Sequence, residues 1–73
     1  MVQLKIVGFQ SGSPKIPVIQ ILRLYLISSL KEATQITQEI FNGKHFEFEI
    51  ETVEKAMIIA KRLTEAGIII EME

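Results

Sequence analysis

Few side chains in this sequence can do chemistry, and their spacing suits catalysis poorly. His45 is the single histidine, and the chain has neither cysteine nor aspartate. A multi-histidine metal site within one chain is therefore excluded, as are thiolate zinc sites and aspartate-based cation sites. His45 opens a strand-like segment, which assigns it to a solvated or edge position. Glu47, Glu49 and Glu51 recur at every second residue and share one strand face. Carboxylates so placed could hold a hard cation weakly, but a solvated outer face accounts for them more simply. Gly8, Gly12, Gly43 and Gly67 lie too far apart to form a phosphate-cradling loop. Neither enzymatic activity nor any cofactor or metal is expected.

Recognition chemistry is better represented. The stretch Ile16–Ile27 reads IPVIQILRLYLI, in which only Gln20 and Arg23 are polar. At about 100° per residue, Val18, Leu22, Tyr25 and Leu26 cluster on one helical face, with Ile19 and Ile21 at its edges. The opposite face carries Ile16, Pro17, Gln20, Arg23, Leu24 and Ile27. Two readings are open. A neighbouring helix folds over these residues and buries them, or they form an apolar patch around an arginine, the composition of a recognition surface.

Length and composition bound the setting. A chain of 73 residues makes a single domain over 1–73, and 48% apolar content against 23% charged argues against disorder. Residues 1–44 carry five basic residues against two glutamates, a net of +3. Residues 45–73 carry three basic residues against seven glutamates, a net of −4. No concentrated basic footprint results, so direct nucleic-acid binding is not expected. The first 20 residues lack a signal-peptide pattern, and the apolar stretch is too short for a bilayer span of about 20 residues. A cytoplasmic location is expected.

The elements follow from periodicity and caps. Val2–Phe9 alternates as a half-buried strand, with Val2, Leu4 and Ile6 inward. Gln10–Pro14 (QSGSP) is a turn, and a helix starts near Ile16 with Pro17 in its first turn. Ser29-Leu-Lys-Glu32 has the form of a capping box, which predicts a second helix from about Leu30 to Asn42. Its inner face would hold Leu30, Ala33, Ile36 and Ile40, with Gly43 at the C-terminal cap. His45–Glu51 (HFEFEIE) is a strand with Phe46, Phe48 and Ile50 inward. Thr52 caps a third helix that buries Val53, Ala56, Ala60 and Leu63 and ends at Gly67. Ile68–Glu73 is the last strand, with Glu71 suited to a position beside Lys5. The fold class predicted is α+β, a two-layer β-α-α-β-α-β sandwich. Three helices cover a three-stranded antiparallel or mixed sheet whose first strand lies between the other two.

KIPVIQILRLYLISSLKEA (Lys15–Ala33) resembles the C-terminal domain of the bacterial ribosomal stalk protein, the L-seven/L-twelve family. The features in common are Lys15, the Val18-Ile19 pair, Arg23 and Leu30-Lys31-Glu32-Ala33, ungapped, together with Gly12 and the ending Glu65-Ala66-Gly67. The resemblance covers essentially the whole chain and implies the same element order. It implies a protein partner, a translational GTPase or another ribosome-associated factor, docked on the first helix and following turn. Lys15, Ile19, Arg23, Lys31 and Glu32 match that face. Two of the family's cationic positions are Gln20 and Thr34 here, and the glycines of its first helix and turn are replaced by Leu24, Ile27 and Ser29. Charge is lost and apolar area gained, at roughly 25 cal/mol per Å² where it becomes buried. The family's N-terminal dimerisation segment and hinge are not found in these residues. A related fold, the adaptor of Clp proteases, binds amino termini through an Asn and acidic residues, for which Phe9-Gln10-Ser11-Gly12 offers no carboxylate.

The reading is therefore a non-enzymatic protein-binding module. Its docking residues would be Lys15, Ile16, Ile19, Gln20, Arg23, Leu24, Ile27 and Lys31. The alternatives are a homodimer formed through Leu24 and Ile27, and a Clp-type adaptor lacking the acidic pocket.

Overall fold

A strand with one apolar face and neighbours on both sides organises this domain. The computed structural model describes residues 1–72, so Glu73, read above as the end of the last strand, lies outside the described residues. The elements are β1 (Val2–Phe9), α1 (Lys15–Tyr25), α2 (Leu30–Phe41), β2 (Phe46–Ile50), α3 (Val53–Glu65) and β3 (Ile68–Met72). The sheet order is β2-β1-β3, with β1 antiparallel to both neighbours. The α+β class, the element order and the central place of β1 agree with the sequence reading. The register sets Lys5 between Glu47 and Glu71, with its Nζ 3.7 Å from the Glu47 carboxylate.

The alternation along β1 changes phase once. Ile6 pairs with Ile70 and Gly8 with Ile69, so Val7 is an extra residue, a β-bulge. Leu4 and Ile6 point to the core at even positions; past the bulge Phe9 packs against the core at an odd one, opposite buried Ile68. Without the bulge Phe9 would share the outer face with Lys5. Phe9 instead stacks on Phe41 at the end of α2, with ring centroids 4.6 Å apart.

Local caps start two helices where the sequence places them. The Ser29 Oγ accepts from the Glu32 N–H at 3.4 Å, and the Thr52 Oγ1 from the Lys55 N–H at 3.1 Å. The core joins Leu4, Ile6, Val18, Leu22, Ile40, Ile59, Leu63 and Ile68. Thr37, also buried, donates its hydroxyl to the Ala33 carbonyl at 2.8 Å, which satisfies it within its own helix. No helix among the described residues is long and apolar enough to cross a membrane.

Two expectations about packing need correction. Leu30 is 53% exposed although its helical phase is right, because phase sets direction and not what lies opposite the first residue of a helix. Val53 is 58% exposed, and Ile59 takes its place inside; the buried stripe of α3 is Ala56, Ile59 and Leu63. That stripe is rotated by roughly 50° from the expected set of Val53, Ala56, Ala60 and Leu63. The closest backbone neighbours of α1 are α2 and α3, and these two approach β1.

The turns before α1 and after α3 are tied together. The Gln10 N–H donates to the Gly67 carbonyl at 2.7 Å, and the Ser13 hydroxyl donates to the Gln10 carbonyl at 2.7 Å. Gly67 has φ of 93°, and a β-carbon there would run into the Ser13 side chain. Gly12 has φ of 84° with open space around it. Gly12→Ala is expected to cost about 1 kcal/mol, from backbone conformation alone. Gly67→Ala is expected to cost about 2 kcal/mol or more, because the clash adds to the backbone term. Equal losses in urea denaturation would contradict this ranking.

Candidate functional site

The first helix is framed by prolines. Pro14 occupies the N-cap with extended backbone, φ −75° and ψ 144°. Pro17 is the third helical residue, where the missing N–H has no intrahelical acceptor to lose. Val18 and Leu22 are fully buried, and Ile19, Ile21 and Tyr25 are half-buried beside them. The outward side remains uncovered. Ile16 is 68% and Leu24 73% exposed, and with Gln20 they form one stripe at spacings of four. Arg23 stands beside that stripe, also exposed.

The helix end redirects one residue assigned to this face. Continued at 100° per residue, the helix would set Ile27 outward between Arg23 and Gln20. Leu26 instead leaves helical geometry at φ −120° and ψ −32°. The N–H groups of Leu26 and Ile27 both donate to the Leu22 carbonyl, at 2.8 and 2.7 Å. The second bond spans one residue more than a helical turn, so the chain winds back and carries Ile27 into the core at 8% exposure. Ile27 is thus not a docking residue, and the proposed Leu24–Ile27 dimer patch loses half its apolar content.

The remaining candidates divide in space. Ile16, Gln20, Arg23 and Leu24 are brought together on α1. Ile19 is half-buried against the core. Lys15 is exposed, but its Nζ lies 5.8 Å from the Phe41 ring centroid, over the end of α2. Lys31 is exposed on α2 and borders a different hollow, shared with Leu30, Thr34 and Gln38.

A half of the site that sequence reasoning missed comes from α3. A hollow of about 310 Å³ lies over Gln20, Arg23 and Leu24. A groove of about 340 Å³ adjoins it between α1 and the end of α3, walled by Pro17, Gln20, Ile21, Arg62 and Glu65. Arg62 and Glu65 also border a hollow with Ile58 and Lys61. Gln20, Arg62 and Glu65 each border two of these hollows, which line up as an interrupted furrow from Leu24 to Ile58, itself 50% exposed. Its charged groups are Arg23, Lys61, Arg62 and Glu65, an excess of positive charge among apolar walls. Ile58 beside the Lys61-Arg62 pair was the available signal, but only the tertiary packing of α3 beside α1 makes it part of this surface.

Two substitutions separate the buried and exposed roles. Ile27→Ala is expected to cost about 2–4 kcal/mol, in the range for a core isoleucine. Leu24→Ala is expected to change stability by no more than about 0.5 kcal/mol. Thermal or chemical unfolding checks both, and a stability loss at Leu24 equal to that at Ile27 would contradict the assignment. No family model matches this chain, and no curated protein matches it.

Proposed function

We propose that this domain is a non-enzymatic protein-binding module that docks a partner through the outward face of α1. The observation that carries the reading is the exposure of Ile16 and Leu24 on either side of Gln20 and Arg23. Apolar anchors around a guanidinium are the composition that concentrates binding energy at protein interfaces. The resemblance to the ribosomal stalk C-terminal domain favours a translational GTPase as partner, which puts the site of action in the cytoplasm.

The departures from that family shape how such a partner would be held. Gln20 and Thr34 stand where the family has cations, which removes part of the charge that speeds encounter. Arg62 returns a guanidinium to the groove that Gln20 lines, from a different helix. Apolar contact at Ile16 and Leu24 then supplies more of the affinity, and charge less. Binding by this face is accordingly less sensitive to salt than a wholly cationic contact would be.

An NMR titration with an elongation-factor GTPase tests the reading. Amide shifts are expected over Ile16–Leu24 and around Arg62, and none on the outer sheet face at Glu49. No change over Ile16–Leu24 with partner in large excess would overturn it. Arg23→Ala is expected to weaken the contact by about tenfold while stability changes by no more than about 0.5 kcal/mol. Unchanged affinity would remove Arg23 from the site.

A further inference from the structure

The two edges of the sheet are built differently. β2 carries Glu47 and Glu49 on the outer face, with Glu51 just beyond. Antiparallel pairing of β2 with a second copy about Phe48 would set Glu47 against Glu49 at two places. Like charges directly opposite are destabilising, so this edge is guarded against self-association. β3 reads Ile68-Ile69-Ile70-Glu71-Met72, with neither lysine nor proline. Ile69 is 46% and Met72 44% exposed. Among the described residues, no strand pairs with the outer edge of β3.

The backbone of that edge is oriented for pairing. The Gly67 carbonyl accepts from the Gln10 N–H, so it points toward β1. The bulge lies on β1, which leaves the alternation along β3 unbroken. The N–H and C=O groups of Ile68, Ile70 and Met72 therefore face away from β1, where a further strand would meet them.

We infer that β3 docks a second copy of this chain, edge to edge and antiparallel, about a two-fold axis at Ile70. That register engages all three outward residues: Ile70 meets Ile70, and Ile68 meets Met72. On the outer face Glu71 falls opposite Ile69 of the second copy. An axis at Glu71 would oppose two carboxylates, and an axis at Ile69 would leave Met72 beyond the pairing. The result is one continuous sheet across two domains, held by main-chain hydrogen bonds as in strand addition. A five-residue strand makes an interface at the small end of the range, below about 1,200 Å², so the dimer is weak and depends on concentration. This contact is separate from the α1 face and leaves that face open to a different partner.

Sedimentation of the full chain between about 10 μM and about 1 mM reads the dimer directly, and its mass is expected to rise from monomer to dimer. Ile69→Glu sets carboxylate against Glu71 at two places and is expected to raise the dimer Kd by about tenfold or more. Ile69→Lys sets an ammonium there instead and is expected to keep the dimer, with added salt weakening it. Ile69 is an exposed side chain, so both variants should retain the wild-type monomer fold, checked by circular dichroism. Exchange of the Ile70 and Met72 amides is expected to slow as concentration rises. A monomer throughout this range, or equal effects of glutamate and lysine at position 69, would overturn the inference. So would a dimer that Leu24→Lys abolishes, since that would place self-association on α1.

Discussion

Three helices compete for one face of a narrow sheet, and most of this domain's features follow from that crowding. Three strands span roughly 15 Å, and packed helices stand 8–10 Å apart. About two helices fit across such a surface. α2 and α3 take those places against β1, and α1 packs against the pair of them. It therefore buries only a narrow stripe, Val18 and Leu22, and leaves its far side uncovered. An apolar residue at Ile16 or Leu24 has no layer to enter. The surplus of apolar side chains in Ile16–Ile27 is thus divided by geometry between the core and an exposed stripe.

The same crowding makes the furrow. α1 lies beside the second half of α3, and the side chains that fill the gap come from both helices. Pro17, Gln20 and Ile21 face Arg62 and Glu65 across it. The proposed docking surface is therefore composite. The wide turn at Leu26–Ile27 carries Ile27 inward, away from this surface, and the linked turns at Ser13 and Gly67 hold the start of α1 beside the end of α3. A partner reading this furrow would sense the relative position of two helices, not one helix alone.

Features set within four or five residues were legible in the sequence. The caps at Ser29 and Thr52, the turn glycines and the alternation in β1 and β2 all depend on near neighbours, and each lies where its residues place it. The order of strands was legible too, because a single helix joins β2 to β3 as a parallel crossover, which leaves the place between them for β1. What the sequence concealed depends on distant partners. Nothing local marks Val7 as a bulge, since the change of phase is defined only against Ile69 and Ile70. Ile27 had the phase of an outward residue until a wider hydrogen bond ended the helix. Ile59 replaced Val53 inside because the rotation of α3 is set by what it packs on. For the candidate site, Ile16, Gln20, Arg23 and Leu24 were legible from helical phase, whereas Ile58 and Arg62 joined them only through tertiary packing.

The claim that most needs testing is that the outward stripe of α1 is the contact surface for a translational GTPase. Site-specific photo-crosslinking addresses it directly, with a photoreactive residue placed at Leu24 or, as a control on the far side of the domain, at Glu49. The account predicts covalent capture of the GTPase from position 24 and none from position 49. Capture from position 49 alone, or equal capture from both, would contradict it.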